Sequence, residues 1–253
     1  MRRSAAQSTK FRNGRDSSNQ TATFLADLAK GKLPRGGGSS GGGKGATRRI
    51  SLSWFAANDI SVVLEAALLS GRSPAAAGAE VVPNLVACLV QHARALAAAG
   101  VAEVVLFPQS PLQTSPLVPE VFRPFVAGLV DQIDVALARA VAALNAQLEA
   151  QALAAAPAGS AAATPPHVYL LGDSKWMGRL LSSIQPPFKY TTGVHCLRNP
   201  APMSLGANVT ICERPNDYAF YDGLHPTTFY HRWFALQGLL PRLQLFRLAP
   251  RDV

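Results

Sequence analysis

Apolar and polar positions follow two rhythms along this chain. From Arg49 to Ala56 they alternate, with Ile50, Leu52 and Trp54 against Ser51 and Ser53, and the run ends in small residues, which predicts a strand entering a turn. From Val82 to Gly100 the spacing becomes helical, with Leu85, Leu89, Ala93 and Leu96 in register and Gly100 as the stop. Val101 to Phe107 then reads as a strand, and Pro108 to Pro119 as a loop rich in proline and serine. A long helical segment from Glu120 to Ala155 follows, placing Asp131, Asp134, Arg139 and Glu149 on solvated faces. After the low-complexity loop Ala156 to Pro166, His167 to Gly172 reads as a strand. Thr227 to Leu239 reads as a helix whose Phe229, Trp233, Phe234 and Leu236 are available to pack on a sheet. Strand, helix, strand, helix, strand in this order predicts an α/β fold with a parallel sheet and covering helices.

The flanks read differently. Residues 1–48 form a basic, Gly/Ser-rich, low-complexity tail with one short helical pattern, Ala22 to Leu33, which places Phe24, Leu25 and Leu28 on one face. The glycine run from Gly36 to Gly45 has no helix pattern behind it, so it reads as a linker rather than a phosphate loop. The folded domain is expected over 49–246, with 247–253 as a second tail.

Length and charge narrow the function. A chain of 253 residues suffices for one α/β domain with a sizeable core. The net charge of +9 lies wholly in residues 1–49, which hold eleven Lys/Arg against Asp16 and Asp27, while the remainder holds thirteen of each sign. A basic tail without interleaved aromatics argues against a nucleic-acid partner. No run of about twenty apolar residues predicts a membrane span, and the N-terminus, though basic, lacks the apolar stretch of a secretory signal. Asn19 and Asn208 stand in sequons that matter only in an exported chain. Cys88 falls in the helical pattern and reads as a small core residue. Cys196 and Cys212 share an irregular stretch without a C-x-x-C or a Cys/His quartet, which argues against zinc, and no metal site is expected.

The candidate chemistry lies in Tyr218-Ala-Phe-Tyr-Asp-Gly-Leu-His-Pro-Thr-Thr-Phe-Tyr-His231. Asp222 precedes His225 by three residues, a spacing that lets the carboxylate accept from one ring nitrogen and leaves the other to take a proton from a nucleophile. Taken alone, the pair reads equally as a capping aspartate beside a loop histidine. His231 reads as a packing or surface histidine. Earlier in the chain, Asn58 in the turn Ala57-Asn58-Asp59 stands at the carboxyl end of a predicted parallel strand, where such sheets bind ligands and a side-chain amide can donate to an oxyanion, although Asn and Asp are also ordinary turn formers.

The aromatic approach followed by Asp-x-x-His-Pro-Thr resembles the C-terminal block of the SGNH/GDSL esterase-lipase family, and the likeness covers roughly residues 20 to 240. It implies a three-layer, flavodoxin-like sandwich and a Ser-His-Asp hydrolase of lipid or acetylated-glycan esters. Such an enzyme needs no cofactor, and complete relatives are extracellular. Asp222 would orient His225, His225 would act as base, and Asn58 would serve the oxyanion hole, with Ala56 standing where the family has glycine. The Gly172-Asp173-Ser174 letters offer Ser174 as nucleophile; family order puts the nucleophile strand first, so Ser174 is rejected and Asp173 is expected to cap a helix. The resemblance also implies a Cys196–Cys212 disulfide ahead of the catalytic loop. The family's first two blocks are missing from residues 1–48, so the nucleophile is expected to be absent, Ile50 to Phe55 to form an exposed apolar edge, and the chain alone to be marginally stable. The alternative is an inactive remnant or ligand-binding module of the same fold. Oligomeric state is left open.

Overall fold

A computed structural model of the chain describes residues 17–30, 49–54, 60, 70–71, 73–157, 164–182, 188–191, 193–198 and 210–248. Asn58, with the rest of 55–59, lies outside the described residues, as do the glycine run and Asn208. The fold is mixed α/β with a three-stranded parallel sheet. The chain divides into two compact units, and helices α2 (Pro74–Ala98) and α3 (Arg123–Ala155) contribute residues to both.

The first unit comprises Met1–Phe55, Ala87–Leu106 and Ala140–Tyr169. Its sheet runs in the order β1 (Ile50–Ser53), β2 (Glu103–Leu106), β3 (His167–Leu170). β1 and β2 pair in parallel from Ile50 opposite Glu103 to Ser53 opposite Leu106, and the His167 amide donates to the Ala102 carbonyl at 2.9 Å. All four residues of β2 are buried. A strand covered on both faces suits the apolar Val104, Val105 and Leu106, and it buries Glu103 with them. The other edge of β3 is closed by a side chain: Asn145 of α3 accepts from the Val168 amide and donates to the Val168 carbonyl, both at 2.9 Å. An asparagine can do this because its amide offers a donor and an acceptor side by side, like a backbone peptide.

Helix α1 (Ser17–Ala29) extends earlier than its apolar pattern suggests. Along α2, Leu89, Ala93 and Leu96 are buried, as their spacing requires. Cys88 is exposed rather than in the core. It precedes Leu89 by one residue, about 100° around the helix, and so misses the buried stripe. Gly78–Ala98 is also the one described helical stretch long and apolar enough to cross a membrane, with a mean hydropathy of 1.3. Alanine and valine bring it to that level without an unbroken apolar run, and its buried stripe already serves a core.

The second unit comprises Ala56–Val86, Phe107–Arg139 and Leu170–Val253. Val126, Leu129, Val130, Ile133 and Leu137 form the buried stripe of α3, joined in this unit's core by Met177 and Leu181 of α4 (Ser174–Ser182) and by Tyr230 and Phe234 of α5 (Thr228–Phe234). Aromatic rings join the pieces. Phe234 lies 6.2 Å from both Phe107 and Trp176, and Phe188 lies 5.4 Å from Phe229 and 6.2 Å from Trp233. Leu236, expected to pack inward, is exposed. Two positions past the buried Phe234 it lies about 200° around the helix, on the opposite face, and Ala235–Leu239 take a wider π-helical turn before α6 (Leu240–Leu245). Asp134 also departs from expectation, because its carboxylate accepts from the Ser174 amide at 2.6 Å instead of facing water alone. Asp131 does pair at the surface, with Lys175 at 3.0 Å. A short hairpin of β4 (Leu197–Arg198) and β5 (Thr210–Ile211) completes the unit.

Candidate catalytic site

The Asp222–His225 loop is fixed by its backbone before any side chain acts. Phe220 and Pro226 face each other in an antiparallel bridge, and the Tyr221 amide donates to the His225 carbonyl at 2.8 Å, closing a tight turn around Asp222-Gly-Leu-His225. Neighbouring segments hold that turn in place. Cys196 and Leu197 donate to Phe220 and Tyr221 at 3.1 and 2.7 Å, and Leu117 donates to Gly223 at 2.8 Å. The Ser115 hydroxyl also donates to the Gly223 carbonyl. Thr227 then opens α5, its hydroxyl accepting from the Tyr230 amide at 3.1 Å and donating to the Tyr218 carbonyl at 2.9 Å.

Within this frame Asp222 uses both oxygens. Oδ1 accepts from the amides of Leu224 and His225 at 2.8 and 2.7 Å, and Oδ2 lies 2.8 Å from His225 Nδ1. The carboxylate therefore selects the tautomer with the proton on Nδ1 and leaves Nε2 as an acceptor. Partial burial pushes the Asp222 carboxyl up, but the amides of His225 and Leu224, and then the imidazole, outweigh it and hold the group below the usual carboxylate range. The His225 side chain is 64% exposed, and among the described residues its Nε2 meets no hydrogen-bonding partner. The sequence also allowed Asp222 as a helix cap; Thr227 caps the following helix instead, and Asp222 serves the amides of its own turn and the imidazole.

The disulfide joins Cys196 to Cys212 with Cα atoms 5.0 Å apart. Because the buried Cys196 also donates to Phe220, the bridge anchors the strand leading into the Asp222 turn. It shortens the excursions open to that loop in the unfolded chain, the usual origin of disulfide stabilisation.

Ser174 stands in the first turn of α4. It is 3% exposed, its amide donates to Asp134, and no hydrogen bond joins it to His225. Asp173 caps α4 by accepting from the Trp176 amide. Gly172 completes the motif sterically, since a β-carbon there would stand 2.5 Å from the Trp176 ring. The Gly-Asp-Ser letters thus serve a strand-to-helix turn. His231 is exposed, edge-on to Tyr230 at 6.2 Å, in keeping with a packing or surface role.

Sequence reasoning passed over His92. In the first unit it links two hydroxyls, Thr21 Oγ1 at 2.6 Å from Nδ1 and Ser53 Oγ at 2.8 Å from Nε2. Nothing in its neighbours marks it, because the contacts join positions 21, 53 and 92. Among the described residues no three His, Cys, Asp or Glu side chains converge as metal ligands. No known family model matches the chain, and no curated protein is similar to it at a significant level.

Proposed function

We propose that this chain carries the base half of an ester hydrolase of the SGNH/GDSL type, acting on carboxylic esters. His225 Nε2 takes the proton of an attacking hydroxyl, and Asp222 holds the tautomer and stabilises the imidazolium that forms. The observation that carries this is the 2.8 Å Asp222–His225 contact, made by a carboxylate already fixed by two backbone amides, with the second ring nitrogen open to the outside. Asn58 is the oxyanion donor in this reading, and the fold is the flavodoxin-like sandwich with β1 next to the place of its first strand. The disulfide suits the oxidising compartment of exported enzymes. In this reading Ser174, whose amide is bonded to Asp134, is not the nucleophile, and the attacking serine is not supplied by this chain.

A second reading, a ligand-binding remnant of the same fold, is favoured by the unpartnered Nε2. Hydrolysis of p-nitrophenyl acetate by the full chain, by His225→Ala and by Asp222→Asn, compared with free imidazole, separates the two. The hydrolase reading expects a slow reaction above the imidazole background, lost with His225 and reduced in Asp222→Asn. Identical rates for all three proteins would leave only the remnant. Fast, enzyme-like turnover dependent on His225 would show that the nucleophile is in the chain after all.

A further inference from the structure

We propose that Thr21 is an acyl acceptor, a hydroxyl activated by His92 in the cleft between α1 and α2, which takes a small, neutral acyl group from an activated ester. The activity stands apart from the hydrolase reading, since it uses neither Asp222 nor His225. Its geometry is that of a nucleophile held against a base that a third group orients. Thr21 Oγ1 lies 2.6 Å from His92 Nδ1, and Ser53 Oγ lies 2.8 Å from Nε2 on the other side of the ring. Ser51 Oγ, 3.2 Å from Ser53 Oγ, offers the Ser53 hydroxyl an acceptor for its own proton. Ser53 can then accept from Nε2–H, which leaves Nδ1 to accept from Thr21. Burial pushes His92 below its ordinary value, so the ring is neutral at pH 7 and able to take a proton.

A recess adjoins the pair. Thr21 and His92 both line a cavity of about 240 Å³ between the two helices. Helical spacing gathers its walls, because Thr21 and Leu25 stand one turn apart on α1, while Cys88, His92 and Ala95 follow one another at i, i+4 and i+7 on α2. A cavity of about 150 Å³ holds a benzene ring, so this one admits an aryl ester of a short acid. Ala22, Leu25 and Ala95 are apolar, and no Lys, Arg, Asp or Glu is among the described residues that line it. A charged acyl group would lose its hydration there without a counter-charge, whereas a neutral one gains from the walls. In the step itself Thr21 Oγ1 bonds to the carbonyl carbon as its proton passes to His92 Nδ1. The tetrahedral intermediate then collapses, the bond to the leaving alcohol breaks, and the alcohol oxygen takes that proton. Ser53 brings no charge to steady an imidazolium as a carboxylate would, so attack by water on the acyl-threonine is slow and the acyl group stays on Thr21.

The test treats the full chain with p-nitrophenyl acetate, native and unfolded in urea, and locates the acetyl group by peptide mass spectrometry. Thr21 is expected to carry it in the native chain and not in urea, where its contact with His92 is gone. A single equivalent of p-nitrophenol accompanies the label, which tells this reaction from turnover at His225. His92→Gln, whose amide can still bond both hydroxyls, is expected to slow the labelling about 10²-fold, the low end of what a general base contributes. His225→Ala is expected to leave it unchanged. Alkylating Cys88, which is exposed and lines the same cavity, with a bulky maleimide is expected to slow it as well. The comparison of native with urea-unfolded wild type decides the matter even if the His92 variant misfolds. A native chain unlabelled at Thr21, equal labelling in urea, an undiminished rate in His92→Gln, or indifference to the Cys88 block overturns the proposal. Labelling lost in His225→Ala overturns it too, by moving the chemistry to the other site.

Discussion

Two aspartates in one unit answer burial with opposite outcomes. Burial pushes both carboxyls up. At Asp134 it prevails over the hydrogen bonds from Ser174 and the Gln109 backbone, whereas at Asp222 two amides and an imidazole prevail over burial. The lowered Asp222 contributes stability above its unfolded value of about 4 and loses it as pH falls through the folded value; the raised Asp134 contributes below about 4 and loses it as pH rises through its own. Thermal melts between about pH 7 and 3 are expected to show Asp222→Asn flattening the acid-side fall. Asp134→Asn, which keeps an acceptor for Ser174 without the buried charge, is expected to melt at or above wild type at pH 7, and Asp134→Ala to lose about 1 kcal/mol with the acceptor of the Ser174 amide. Wild-type acid sensitivity in Asp222→Asn would show that its carboxylate is not held as described. Asp222 was legible because its contacts close within three residues. Asp134 was not, because its partner lies forty positions away.

Secondary structure was legible wherever an element has apolar contrast. β2 emerged from the largely apolar run Val101 to Phe107, broken only by Glu103, and α3 from its long periodicity, whereas α2 begins at Pro74, ahead of Val82, in an alanine-rich approach that carries no contrast. What pattern could not show is how an edge is finished. Asn145 substitutes for a fourth strand at β3, a role that depends on α3 crossing at that point. Asn145→Ala leaves the Val168 amide and carbonyl unpaired and is expected to cost about 1–3 kcal/mol in urea unfolding. Asn145→Asp, able to accept from the amide but not to donate to the carbonyl, is expected to fall between. An unchanged midpoint in Asn145→Ala would mean that water serves that edge equally well.

For the molecule as a whole, the consequence lies at the opposite edge of the same sheet. Ile50 and Leu52 are 40% and 48% exposed, while Ser53, on the alternate face, is buried against His92. The strand's rhythm was legible, but its facing was not, since the inward serine is explained only by a histidine from α2. Among the described residues the sheet ends at β1, so an apolar side and a row of backbone groups lie open together, the arrangement that templates strand pairing between molecules. The charge of +9 in residues 1–49 opposes such contacts by repulsion, and salt screens repulsion over about 10 Å at 0.1 M. Self-association seen by sedimentation velocity is therefore expected to rise with both protein concentration and salt. Leu52→Lys, which puts a charge on the edge, is expected to suppress it with little change in melting temperature, because the leucine is half outside already. A cooperative monomer at high salt in the wild-type chain would show that something else covers β1.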